Sequence, residues 1–516
     1  MNDQVSDASS DASSDEPGQS GDARTGTCCD RNALGIPPDV RAGPPFAWRL
    51  PAIMRRHIYT GAMGHSYGHL LGGMLLVAYG REIGVSYRAW GIMAALSSFT
   101  VLFQLVSAHL TEQIGHRRAI WFACAMAERL ARGLAIVAAY HLSGGDPIFT
   151  SAVFVGLIAV ANAFSAMATP PWWSWLADLI PADRHGLFWG RRSAWIALVV
   201  ISVFLPSAYL VDVATDRGLR MPAMLTVFAL GLFLGYTDLF IHRTIPEPPA
   251  KAGNRRGLRA ELATVLRDRL FRPWLAFRCA WNFSMSLGGS MMTIYFLENL
   301  GFRNRLAAAA LFVVIVPLLS QLAGGRYVGG LVDRLGTRPV LACSHVVWSF
   351  TPMFWFFVTR DTSIWWPVAW QLVSGLATSS AENAGSKLVT RLPRREDCAM
   401  YLAVSNCLVH VASGLGALAA GEVLTFLEGM SWDLGGLTLD GFHILYLVST
   451  FLRLASTALT RLLPTPEAER DRILNGNRGS SRLVSPNRCA SAPARKGAGA
   501  STLARASDPD AAPTGS

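Results

Sequence analysis

Charge is what this sequence has least of. Asp, Glu, Lys and Arg make up 16% of its 516 residues, where a soluble chain of this size carries about a quarter. The shortage is concentrated between residues 57 and 463, where apolar runs of about twenty residues recur. Each run can cross a hydrocarbon core of ~30 Å at ~1.5 Å per residue. A soluble globular protein is thereby excluded, and an all-α polytopic membrane protein is expected. Other signals are missing too. The N-terminus is acidic and Ser-rich, with no cleavable signal pattern, so the first apolar segment is expected to direct insertion. No G-x-x-x-x-G-K-[ST] occurs, so nothing supports ATP-driven work in cis. Of eight cysteines, Cys124, Cys279, Cys343 and Cys407 lie in apolar segments and Cys28 and Cys29 in a polar tail. None has metal-ligand spacing. With no nucleophile–base pair either, neither an enzyme nor a cofactor is expected.

The basic residues are distributed unevenly. Twelve segments can be marked at 57–80, 88–110, 119–141, 149–170, 193–212 and 222–243, then at 274–298, 306–330, 339–359, 364–388, 399–427 and 441–463. Even-numbered connections, with Lys387 at the edge of segment 10, hold 18 Lys and Arg, and odd-numbered ones, with Arg88 at the edge of segment 2, seven. The positive-inside rule then places both termini and the connection between segments 6 and 7 in the cytoplasm. It also accounts for the net charge of +11 without nucleic acid. The organisation read from this is a disordered tail at 1–50, a first bundle at 51–243, a cytoplasmic linker at 244–272, a second bundle at 273–463 and a disordered tail at 464–516. The linker closes as a basic amphipathic helix, roughly 257–271, suited to an anionic membrane surface.

Two repeats tie the halves together. GGLVDRLGTRPVL (329–341) lies between segments 8 and 9, and AHLTEQIGHRRAI (108–120) lies 221 residues earlier. Gly329 falls on Ala108, Asp333 on Glu112, Gly336 on Gly115 and Arg338 on Arg117. LIPADRHGLFWGRR (179–192) lies over RLPRREDCAMYLAV (391–404), with Pro181 on Pro393. Such offsets indicate two half-chains built on one plan.

With twelve segments and G-x-L-x-D-R-x-G-x-R in the 8–9 connection, the chain resembles the major facilitator superfamily over roughly 55–463. The resemblance implies two pseudo-symmetric six-helix bundles around a central cavity open alternately to each side. Segments 1, 4, 7 and 10 would line it, and segments 3, 6, 9 and 12 would lie outermost. The paired loops are then expected to act as a gating contact formed by Glu112, Gly115, Arg117 and Arg118 in one half and Gly329, Asp333, Arg334, Gly336 and Arg338 in the other. Asp333 would cap a neighbouring helix, and Gly115 and Gly336 would permit the reversals.

Ionisable groups inside the membrane are costly, so each is a candidate. Segment 1 carries His65, Tyr67 and His69, the histidines sharing one face and suited to proton coupling or to hydrogen bonding with cargo. Segment 3 holds Glu128, Arg129 and Arg132. Glu128 and Arg132 can neutralise each other at i, i+4, which leaves Arg129 to seek a carboxylate on another helix or an anionic substrate. Further candidates for the substrate or proton pathway are Asn162, Asn282, Gln371, Glu382 and Asn383. Glu382 has no basic residue within four positions and is the expected proton carrier. Pro170 and Pro171 are expected to break or kink segment 4.

The expected function is secondary active transport of a small hydrophilic solute, with protons as coupling ion, by a monomer in the cell's inner membrane. A non-transporting sensor or assembly scaffold is the alternative. In that case the polar residues of segments 1 and 10 should fail to converge on one cavity.

Overall fold

The computed structural model describes residues 50–180, 185–248, 258–320, 335–392, 398–434 and 437–463. Helices occupy each of the twelve stretches, and the end of segment 8 lies outside the described residues. Among the described residues, six helices are by length and composition able to cross a membrane on their own: Tyr87–Thr111, Pro147–Leu176, Phe188–Asp216, Arg220–His242, Tyr401–Phe426 and Gly441–Leu462.

The remaining stretches differ for identifiable reasons. Segment 3 is one helix, Arg117–Leu142, whose apolar run is interrupted by its three charges. Segment 1 divides into Leu50–Leu70 and Gly73–Glu82, and segment 7 into Arg272–Gly289 and Met292–Glu298. Gly73 takes a φ of +50°, a conformation that ends a helix cheaply only at glycine. Discontinuous helices are tolerated at membrane depth where the freed backbone lines a cavity.

Local chemistry sets the helix ends. Segment 4 starts with Asp146 accepting from the Ile148 amide at 3.0 Å and Pro147 in the first turn, the favoured arrangement for a helix start. Segment 12 starts with a capping box, Asp440 accepting from the Phe442 and His443 amides. The two repeat glycines turn the chain as their spacing predicts, with φ of +70° at Gly115 and +89° at Gly336. Pro170 and Pro171, in contrast, do not end segment 4, because the helix runs on to Leu179. The Met167 carbonyl that the ring of Pro171 leaves without its amide partner accepts instead from the Ser107 hydroxyl. A neighbouring side chain thus satisfies the backbone group that the proline strands.

Packing repeats across the halves. Segment 1 lies against 5 and 6 while 3 lies along 4; segment 7 lies against 11 and 12 while 9 lies along 10. The halves meet where segment 2 crosses 11 and segment 5 crosses 8. At the first crossing a Cβ on Gly91 would stand 2.8 Å from the Gly421 Cα, so the backbones touch as small residues allow in lipid.

The buried core explains the shape. Toward the odd-numbered connections it is one body drawn from both halves, including Leu76, Trp90 and Phe228 with Tyr295, Phe312 and Phe442. Toward the even-numbered connections the described core separates by half, into clusters around Trp175 and Leu239 and around Leu176 and Phe188 in the first and one around Trp274 and Leu388 in the second. Ion pairs reinforce the closed end: Arg81–Glu298 at 2.5 Å, Arg303–Glu82 at 3.0 Å and Arg88–Glu422 at 2.9 Å.

Candidate functional site

The three charges of segment 3 face inward, while Leu130, Leu134 and Val137 on its other side are exposed. The inward face builds a connected polar cluster. Glu128 accepts from the Tyr67 hydroxyl and from Arg132 Nε, both at 2.8 Å, and from Arg129 Nη1 at 3.2 Å. Arg129 donates to Asp238 Oδ2 and to the Gly235 carbonyl on segment 6, both at 2.9 Å, and its guanidinium lies 4.9 Å from the centre of the Tyr67 ring. Arg132 reaches Asn162 Oδ1 at 2.9 Å, and Asn162 in turn donates to Ser97 at 2.7 Å. Segments 1, 2, 3, 4 and 6 are joined through two carboxylates and two guanidiniums whose charges balance. Gly235 makes room for this, since a Cβ there would meet the Tyr67 ring at 2.7 Å.

Asp238 also orients His242. His242 Nδ1 lies 2.8 Å from Asp238 Oδ1, and Trp172 Nε1 donates to His242 Nε2 at 3.4 Å. An indole N–H can only donate and a carboxylate can only accept. A ring with its proton on Nδ1 satisfies both contacts. His65 Nδ1 lies 2.8 Å from the Gly61 carbonyl, leaving its Nε2 as an acceptor. His57 is buried beside His242, ring centroids 5.2 Å apart, and neither of its ring nitrogens has a hydrogen-bond partner among the described residues.

Two cavities flank the cluster. One of about 530 Å³ is lined by Gly72, Trp90, Ser97, Gln104, Arg132, Asn162, Ser290 and Thr293. It draws on both broken helices. The other, about 600 Å³, is lined by His65, His69, Glu128, Arg129, Trp172, Trp173, Arg192, Asp238 and His242. Gly73, Ser165 and Thr169 border both, so the cavities adjoin, with the Glu128–Arg132 pair between them.

The remaining candidates lie apart from the cluster. Asn282 donates to the Arg278 carbonyl, Asn383 to the Ser379 carbonyl and Gln371 to the Phe312 carbonyl. Glu382, half exposed, lies 3.8 Å from Arg278 on segment 7. The absence of a basic residue near it in sequence is thus undone by one brought in from another helix. Arg453 finds no carboxylate among the described residues and donates to the Trp348 and Met285 carbonyls on segments 9 and 7. Of the gating-loop residues, Gly329, Asp333 and Arg334 lie outside the described residues, as does the side chain of Glu112. Arg117 donates to Asp178 at 2.6 Å and to the Pro248 carbonyl at 2.9 Å, and Arg118 to the Ile245 carbonyl at 3.1 Å. Arg338 donates to the Thr460 carbonyl at 3.1 Å and to that of Arg461.

Sequence reasoning gave little weight to the Asp238–His242 pair, to His57 and to Arg192. The i, i+4 spacing of Asp238 and His242 was the available signal for the pair. Arg192 had none, reading as one more basic loop residue.

The model of the Major Facilitator Superfamily matches residues 59–330 and 312–494. The chain belongs to this superfamily. Solved structures with the same fold include that of the nucleoside transporter NupG, with a TM-score of 0.58 and 11% identity, covering 80% of this chain and 98% of that one. A point mutant of NupG gives a TM-score of 0.60 at 11% identity, covering 80% and 100%. At this identity the likeness is one of fold. Among curated proteins, multidrug resistance protein MdtH of Photorhabdus laumondii subsp. laumondii is 31% identical over 126 residues, 24% of this chain and 31% of that protein's length. This superfamily member is accordingly a multi-pass membrane protein of a transporter family, and its polar cluster lies in the first half of the fold.

Proposed function

We propose that the chain is a secondary active transporter that carries a small hydrophilic solute across the inner membrane by alternating access, coupled to protons. The observation that carries this reading is the pair of adjoining cavities, one walled by segments 1, 2, 3, 4 and 7 and the other by segments 1, 3, 4, 5 and 6, with a charge-balanced buried cluster between them. Segments 3 and 6 thus line a cavity instead of lying outermost, and Gln371, Glu382 and Asn383 of segment 10 line neither cavity, against the expected convergence. The joined core at one end and the divided core at the other support a solute path open toward the even-numbered connections. By the positive-inside rule that end and both termini face the cytoplasm.

The coupling site in this reading is the Asp238–His242 pair. A proton taken up at His242 Nε2 would replace the Trp172 hydrogen bond and add positive charge beside Arg129 on segment 3, His57 on segment 1 and Arg192 on segment 5. That excess weakens the hold of Arg129 on Asp238 and biases the packing of segments 3 and 6. His65 and His69 on the cavity wall, and Glu382 opposite Arg278, are the further proton-accepting groups proposed for the path.

The test is transport in proteoliposomes under an imposed pH gradient, with solutes chosen by thermal stabilisation at pH 6 and pH 8. A pH gradient should drive accumulation in the wild type. Asp238→Asn should retain exchange of solute for solute while losing gradient-driven accumulation. Gradient-independent transport by the wild type would remove the coupling proposal.

A further inference from the structure

Arg192 stands out among the arginines of the first half. Arg117, Arg129, Arg132 and Arg220 each have a carboxylate within 4.0 Å. Arg192 is only 9% exposed and lines the larger cavity, yet it makes no hydrogen bond or ion pair among the described residues, and its Nε is buried without a partner. Its guanidinium is held in place by rings, 5.3 Å from the centroids of both Trp172 and Trp189, and by the backbone of segment 1. A Cβ on Gly61 would lie 2.7 Å from Arg192 Nε. Asp238 on the cavity wall, whose charge reaches Arg192 without a contact, is already bonded to Arg129 and His242.

A buried guanidinium without a counter-charge is costly. Its planar fork is built to take two oxygens of one carboxylate or phosphate. Around it the cavity offers a ring surface, with Trp172 and Trp173 centroids 5.1 Å apart and Trp173 stacked on Trp189 at 5.3 Å and 30°. Trp173 is half exposed.

We infer that Arg192 is the anchor for an oxyanion group whose flat, unsaturated body lies along the Trp172–Trp173 wall. The cargo proposed above is then an organic anion of that kind, so this assignment rests on the transport reading for its role but not for its binding site. The same chemistry could be supplied by a soluble solute or by the phosphate of an anionic lipid.

The test is isothermal titration of the full chain with 1-naphthoate and with the neutral 1-naphthalenemethanol, in nanodiscs of phosphatidylcholine and of phosphatidylglycerol. Wild type in phosphatidylcholine should bind the carboxylate saturably and the alcohol at least ~10-fold more weakly, the scale of a charge-assisted hydrogen bond. Arg192→Gln should lose ~10- to 100-fold in carboxylate affinity and leave the ligand-free melting temperature equal or higher, since an uncompensated buried charge is removed. Retained binding in phosphatidylglycerol identifies a soluble solute as occupant; competition by phosphatidylglycerol identifies a lipid headgroup. Equal binding of carboxylate and alcohol, or unchanged carboxylate binding in Arg192→Gln, overturns the assignment. Saturable Arg192-dependent binding without any transport would sink the transporter reading and leave the site standing.

Discussion

Arg117 and Arg338 stand 221 positions apart and perform the same task in the two halves. Each lies in the first turn of the third helix of its half and donates to carbonyls at the end of the sixth: Arg117 to Pro248, just past that helix, and Arg338 to Thr460 and Arg461 in its last turn. A cation there satisfies acceptors that no helix turn can reach and complements the negative end of the dipole. The repeat noticed in the sequence is therefore a clamp on the last helix of each bundle.

The two clamps should differ in strength. Arg117 is 3% exposed and also pairs with Asp178, so Arg117→Ala should cost ~3 kcal/mol, the scale of a broken buried pair. Arg338→Ala should cost ~1 kcal/mol, the scale of a charge at a helix end. Thermal melts of both variants in one detergent would decide this, and equal losses would refute the asymmetry.

The Arg129–Asp238 contact should behave as a coupled pair. Arg129→Gln and Asp238→Asn each strand a buried charge and should each destabilise by ~3–5 kcal/mol. The double variant should recover ~1–3 kcal/mol of the summed loss. Additive losses in a double-mutant cycle would mean that the two charges are satisfied independently.

At the closed end, Gly91 and Gly421 can be separated sterically. Gly91→Val forces the crossing of segments 2 and 11 apart and should favour the conformation open toward the odd-numbered connections. Spin labels on segments 1 and 7 near Arg81 and Glu298 should report a longer distance, with a shift of ~1 kcal/mol changing the population ratio about fivefold. An unchanged distance distribution would count against rocking of the halves.

Asp440 provides a pH-dependent term outside the membrane segments. Burial pushes its carboxyl up, but hydrogen bonds from His443 and the Phe442 amide outweigh this and hold it below its ordinary 3.8. A carboxyl depressed on folding stabilises the folded chain above its unfolded value and loses that contribution as pH falls through the folded one. Asp440→Ala should cost ~1 kcal/mol at neutral pH, and the difference from wild type should shrink below about pH 4. A difference that does not shrink at all as the pH is lowered from neutral to about 2 would show that the cap acts without its charge.

The sequence by itself determined the membrane class, the twelve helical stretches and the doubled plan, because apolar run length and a repeated turn glycine are local properties that survive any arrangement in space. It also exposed Glu128, Arg129 and Arg132, since a charge in an apolar run is conspicuous wherever the run packs. Tertiary structure alone decided the partners. Asp238 meets Arg129 across 109 positions, Arg278 approaches Glu382 across 104, and Ser107 relieves the proline pair of segment 4. It also decided that Arg192 has no hydrogen-bond or ion-pair partner among the described residues, because the need of a buried charge is read from what surrounds it in space, and neighbours along the chain carry no record of that.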